Sequence, residues 1–149
     1  MSLLFNPEEI AVPLTEDKDA IREVLYRYCY GTDTGDVETW VGGFTEDCLW
    51  DGGPFGVCKG KDAMRTFYKQ GGDAARSMRH LTLNSIIDVQ GDRAKAVSYV
   101  VVLGIAEAAT SIFFSGFYED EFVRKGGRWL IQTRKLRTDM SEMKLPAAR

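Results

Sequence analysis

Residues 27–53 read RYCYGTDTGDVETWVGGFTEDCLWDGG, and they set the order in which the chain folds. They begin at the end of TEDKDAIREVLYRYCYG (15–31), where Ala20 and Ile21, Val24 and Leu25, then Tyr28 recur at the i, i+3, i+4, i+7 spacing of one helix face. Acidic residues occupy the first turn, where the helix dipole favours them. The spacing predicts an amphipathic helix that Gly31 loosens at its end. Gly35 follows in a TDTGD turn, and Asp36 stands where a carboxylate can cap a second, short helix reaching about Phe44. Continued as CLWDGGPFGVC (48–58), the stretch reads as a short strand, a Gly/Pro turn and a second short strand.

Downstream, KGKDAMRTFYKQGG (59–72) predicts a third helix with Met64, Phe67 and Tyr68 on one face and Gly71-Gly72 closing it. The rest reads as β structure. Strands over 78–89 and 94–104 are joined by a turn at Gly91-Asp92, and after a loop near 105–110, strands over 111–124 and 128–138 meet at Lys125-Gly126-Gly127. Helices early and strands late argue for an α+β fold. Its expected form is a cone-shaped α+β barrel, in which three N-terminal helices pack on a strongly curved, mostly antiparallel sheet and enclose a cavity. Residues 1–14, with Pro7 and Pro13, are expected to form an arm, residues 15–140 the domain and residues 141–149 a tail.

A chain of 149 residues with 44% hydrophobic and 28% charged residues can build one sizeable core. Lys+Arg 19 against Asp+Glu 22 gives 19 − 22 = −3, which leaves no surplus of cations for a phosphate backbone, so no nucleic-acid partner is expected. No apolar run approaches the ~18 residues of a membrane span, and MSLLFNPEEI lacks a basic segment followed by an apolar one. A cytoplasmic protein with no membrane contact is the expectation. Cys29, Cys48 and Cys58 form no C-x-x-C pair, and His80 is the single histidine, so neither a disulfide framework nor a metal site is expected. Without a GxGxxG, GxxxxGK[ST] or GxSxG context, the sequence calls for no cofactor and no covalent nucleophile.

The GD-x-x-x-W and F-T-x-D pattern of residues 35–47, GKDAMRTFY (60–68), RHLTLNSI (79–86) and FYEDEFVRKGGRWLI (117–131) resemble the NTF2-like superfamily over roughly residues 15–140. Within it they are most similar to the SnoaL-like branch, which includes scytalone dehydratase, bile-acid dehydratase and a dehydrochlorinase. The resemblance implies a cofactor-free lyase performing a dehydratase-type elimination on a small cyclic or polycyclic hydrophobic substrate. Tyr28, Asp33 and His80 match the branch's catalytic positions, with His80 as base and Asp33 holding its tautomer and stabilising the imidazolium. Arg137, in KLRTDM, is the nearest match to a basic residue on the last strand. The steroid isomerase branch carries a carboxylate base where Gly52 falls here, which counts against isomerase chemistry. Trp50, Phe55, Phe67, Phe113 and Phe117 are candidates for apolar walls that exclude water and hold the substrate. One scaffold also serves as a non-catalytic small-molecule-binding module and as the accessory subunit of an oxygenase, and both alternatives stay open.

Local chemistry alone admits plainer roles. Asp beside Gly commonly bonds turn amides, a Tyr on an apolar stripe is commonly a core residue, and Glu119-Asp120-Glu121 reads as a solvated edge facing Arg124 and Arg128. Alternation puts His80 with Thr82, Asn84 and Ile86, and Leu81, Leu83, Ser85 and Ile87 on the other face. The next strand is apolar on both faces, through Val97, Tyr99, Val101 and Leu103 and through Ala96, Ser98, Val100 and Val102. Such a sheet needs two covers, the helices and a second subunit, so a homo-oligomer, dimer or trimer, is expected.

Overall fold

The structure is a computed structural model and describes residues 13–139, so most of the expected arm and the expected tail lie outside the described residues. Helices α1 (Pro13–Thr34), α2 (Val37–Gly42) and α3 (Lys61–Arg76) accompany strands β1 (Phe44–Asp51), β2 (Val57–Lys59), β3 (Met78–Gln90), β4 (Arg93–Ile105), β5 (Thr110–Lys125) and β6 (Arg128–Thr138). A 3-10 turn, Gly53–Phe55, joins β1 to β2. The strands form one six-stranded sheet in the order β2-β1-β6-β5-β4-β3. All neighbours are antiparallel except β1 and β6, which run parallel. The sheet does not close: β2 and β3 are its two edges, and helices packed on one face complete the enclosure.

Helix α1 differs from its expected end. It runs through Gly31 and stops only at Thr34, where Gly35 takes φ +81, a left-handed conformation that glycine adopts at no steric cost. Gly31 is there for space. A Cβ on it would lie 2.4 Å from the Trp40 backbone nitrogen, so its absence lets α2 close against α1. Asp36 caps α2 as expected, its carboxylate accepting from the Thr39 N–H at 3.0 Å, but α2 ends at Gly42 and Phe44 already opens β1. Helix α3 likewise continues past Gly71-Gly72 to Arg76. The good helix formers Ala74 and Ala75 follow the pair, and the Tyr68 hydroxyl ties this helix to the Thr32 carbonyl at 2.6 Å.

The core lies between the helices and the inner sheet face. Ile21 and Leu25 of α1, Trp40 and Val41 of α2 and Met64 of α3 meet Phe44, Val100, Val102, Phe122 and Ile131, each 2% exposed or less. Burial at that level is worth about 1.5–3 kcal/mol for each large aliphatic or aromatic side chain, which offsets the entropy of ordering the sheet. Asp17 pins the start of α1 to the β5–β6 hairpin by accepting from Arg124 Nη1 at 2.7 Å and Trp129 Nε1 at 2.9 Å.

The alternation expected for β3 holds only over its first half. His80 and Thr82 face the helices, but the register breaks between Leu83 and Ile86, where Asn84 takes φ 52. Beyond this bulge Ser85, Ile87 and Val89 turn inward and Ile86 turns out. The outer face consequently exposes Leu81, Leu83, Ile86 and Tyr99, which are 40%, 43%, 51% and 57% accessible.

Candidate functional site

A cavity of about 320 Å³ opens between α1, α3 and the inner face of the sheet. Its wall is largely aromatic, built from Tyr28, Trp40, Trp50, Phe55, Phe67, Tyr68, Phe113, Phe114 and Tyr118, with His80 among the few polar groups. The rings contact one another closely, Trp50 on Phe67 at 4.9 Å and Phe55 on Phe114 at 5.5 Å between centroids. Such walls exclude water and strengthen any polar contact made inside.

Asp33 sits in the last turn of α1 and His80 near the head of β3, two elements packed side by side. The carboxylate spends both oxygens on one residue. Oδ1 lies 2.6 Å from His80 Nδ1, and Oδ2 accepts from the His80 backbone N–H at 2.9 Å. Their side chains are 9% and 12% exposed. The backbone contact fixes the carboxylate, and when Nδ1–H donates to it the free lone pair is left on Nε2 of a ring that lines the cavity.

Tyr28 lies on α1 five residues before Asp33, and its hydroxyl accepts from Trp50 Nε1 at 3.0 Å, both groups being buried. Behind it is an ion pair that is fully buried on both sides. Arg134 Nε and Nη2 donate to the two Asp120 oxygens at 2.8 Å each. The guanidinium carbon lies over both phenols, 4.2 Å from the Tyr28 ring centre and 4.0 Å from that of Tyr118, while the two rings meet each other edge-on at 5.9 Å. Burial pushes the Arg134 pKa down, but the Asp120 charge and hydrogen bonds, with the two tyrosines, more than reverse this and carry it up. Burial also drives the Tyr118 phenol well above its usual value, helped by the neighbouring Tyr28 and opposed by Arg134. Cys29 lies nearby, its sulfur 3.3 Å from the Thr82 hydroxyl, and burial raises its thiol pKa.

The structure brings Tyr28, His80, Trp50, Phe55, Phe67 and Phe113 to the cavity, with Asp33 directly behind His80. Phe117 and Arg137 are not there. On β5 the inward positions are Phe114, Gly116, Tyr118, Asp120 and Phe122, which places Phe117 on the outer face opposite Tyr99. Phe113 reaches the cavity because the β4–β5 register breaks beside it. On β6 the pairing skips Gln132, so Arg134 and Leu136 face in. Arg137 points out, half exposed and 3.9 Å from Glu119. The basic residue that faces the interior is therefore Arg134. Nor is Asp120 part of a solvated edge, since it is the partner of Arg134, while Arg124 binds Asp17 and Asp92. Alternation along β5 carried this signal, because Asp120 shares a face with the apolar Tyr118 and Phe122. Tyr118, Phe114, Trp40 and Tyr68 were not anticipated as cavity residues either.

Among the described residues no group of three or more His, Cys, Asp or Glu side chains is placed to hold a metal ion. Among the same residues no helix is long and apolar enough to cross a membrane. Residues 13–135 match the model of the SnoaL-like domain. No curated protein matches the sequence. Among solved structures, a single-site variant of Rv3472 of Mycobacterium tuberculosis, a protein of unknown function, is 30% identical, with 90% of this chain and 78% of that one covered and a TM-score of 0.75. A proposed scytalone dehydratase from Novosphingobium aromaticivorans is 26% identical over 91% of this chain and 95% of that one, at a TM-score of 0.71. The β subunit of a proposed aromatic-ring-hydroxylating dioxygenase from the same organism shares the fold at 22% identity and a TM-score of 0.72, covering 87% and 93% of the two chains.

Proposed function

The chain belongs to the SnoaL-like domain family, and from that premise we propose that it is a cofactor-free lyase that eliminates water from a small cyclic hydroxyketone. The observation that carries the reading is the Asp33–His80 contact, which uses both carboxylate oxygens on a histidine that lines an aromatic cavity. An apolar cavity of ~150 Å³ accepts one benzene, so about 320 Å³ suits roughly two fused rings. His80 Nε2 takes a proton from the carbon next to the ketone. The C–H electron pair becomes a C=C bond as the carbonyl electrons move onto oxygen, and the Tyr28 hydroxyl donates to the enolate oxygen that forms. Collapse of the enolate expels the β-hydroxyl, which takes the proton back from the His80 imidazolium and leaves as water. Asp33 supports the imidazolium between those steps, as a carboxylate supports histidine in hydrolase triads.

The first half of this sequence is testable without the natural substrate. In D2O the protein is expected to exchange the protons beside the carbonyl of 1-tetralone, followed by NMR, and His80→Ala or Asp33→Asn should lower the rate about 100-fold or more, to that of buffer. Exchange that is no faster than buffer with the parent protein would reduce the cavity to a binding site without chemistry. The exposed apolar outer face supports a second proposal, that another copy of the chain covers Leu81, Leu83 and Tyr99 in a homo-oligomer.

A further inference from the structure

The sequence casts Trp50 only as an apolar wall, yet its ring does something more specific. Indole nitrogen is a donor and never an acceptor, so the 3.0 Å contact with Tyr28 has one possible direction, from Trp50 into the tyrosine oxygen. That bond fills one acceptor position on the Tyr28 oxygen, and the hydrogen bond Tyr28 shares with Tyr118 raises the Tyr118 phenol pKa, as it does when Tyr118 donates, so the Tyr28 proton is left for the cavity that its ring lines. The Trp40 indole nitrogen is also buried, with no hydrogen-bond partner among the described residues, and its ring lines the same cavity. At the Tyr28 and Trp40 side of the wall the polar groups thus offer donors, the condition under which a ligand oxygen gains most.

The orientation of Trp50 depends on a neighbour with no side chain. A Cβ on Gly52 would lie 2.2 Å from the far edge of the Trp50 six-membered ring and within 2.8 Å of two further ring atoms. That ring cannot swing aside, because Trp40 packs on it edge-on at 5.9 Å and Phe67 at 4.9 Å between centroids. Glycine at 52 therefore lets the indole take the pose that reaches Tyr28.

We propose that Trp50, held by the space at Gly52, is the positioning residue that makes the Tyr28 hydroxyl a donor into the cavity, so that the site selects a ligand presenting a bare acceptor oxygen, a ketone or its enolate, against Tyr28. Trp50 acts through Tyr28 and not on the ligand. The inference deepens the elimination reading and rests on its ligand class, but its test reads binding and a vibrational frequency, so it stands or falls without any turnover.

The probes are 1-tetralone, with its carbonyl carbon 13C-labelled, and tetralin, the same two rings without the oxygen. The parent protein is expected to bind tetralone about 3- to 10-fold more tightly than tetralin, and to shift the bound carbonyl stretch to lower frequency than in hexane. Tyr28→Phe should abolish both the preference and the shift. Trp50→Phe keeps an aromatic ring but removes the N–H. Measured against its own tetralin affinity, it should lose part of the tetralone preference and with it part of the shift, and Gly52→Ala should do the same. Thermal unfolding of each variant separates these losses from misfolding. An unchanged carbonyl frequency in Trp50→Phe would overturn the positioning role, since a merely packing tryptophan moves tetralin and tetralone together. Equal affinity of the parent for the two probes would overturn the claim that the site seeks an acceptor.

Discussion

Replacing Asp120 by Asn tests what lies beneath the tyrosines. The Arg134 guanidinium is fully buried, makes two 2.8 Å bonds to Asp120 and leaves Nη1 without a hydrogen-bond partner among the described residues. An amide at 120 keeps the size but removes the charge, stranding a cation in a wall of aromatic rings. Breaking a buried pair in this way costs about 3–5 kcal/mol, because the orphaned charge keeps its desolvation penalty and loses its compensation. For a domain of this length each kcal/mol moves the melting midpoint by about 2–4 °C, so a drop of roughly 6–20 °C is expected by calorimetry. The double change Asp120→Leu with Arg134→Met removes both charges and should recover most of that loss, since an apolar replacement of a whole pair is often close to neutral. It should not restore the site, because the cation that packs over the Tyr28 and Tyr118 rings is gone. An Asp120→Asn midpoint within about 2 °C of the parent, on the same conversion, would refute the picture of an uncompensated buried guanidinium. So would a double variant less stable than the single one.

Gly31→Ala should destabilise the fold by about 1–3 kcal/mol in a urea titration, although alanine for glycine inside a helix ordinarily gains up to about 1 kcal/mol. The sign reverses because the new Cβ would meet the Trp40 backbone at 2.4 Å, and backbone cannot move aside as a side-chain end can. On the outer face, Leu83→Lys combined with Tyr99→Lys should turn a sedimenting dimer or trimer into a monomer with unchanged circular dichroism. A parent chain that is already monomeric at tens of micromolar would remove the second copy from the account.

The element order was legible because each boundary carries its own local chemistry. Asp36 announces α2 by what a carboxylate does to a free N–H, and the Gly91-Asp92 and Gly126-Gly127 pairs announce the two long hairpins. Glycines at two places misled for one reason. At Gly31, and at the Gly71-Gly72 pair inside α3, the residue reads locally as a stop signal. Long-range packing overrides it, against the α2 backbone in one case and through the Tyr68–Thr32 bond in the other. Pairing Asp33 with His80 needed the family resemblance, since 47 residues separate them and nothing in their spacing makes the last turn of one helix meet the head of a strand.

The misplaced site residues lie at or near breaks in a period of two. Counting outward from His80, strict alternation sends Ser85 and Ile87 to the wrong face once Asn84 bulges. The interruption between Ile112 and Phe114 in the β4–β5 pairing brings Phe113 to the cavity, where Phe113 and Phe117 were expected together and only one arrives. On β6 the skipped Gln132 resets which residues point inward, and the inward cation becomes Arg134 and not Arg137. A bulge adds one residue to one strand, and its effect on side-chain direction then persists along that strand until another break. Bulges also bend and twist a strand locally, which favours a sheet that wraps a cavity over one that lies flat against the helices. The register breaks that hide the site from a period-two reading are therefore of the same kind as those that help give the sheet room for a ligand.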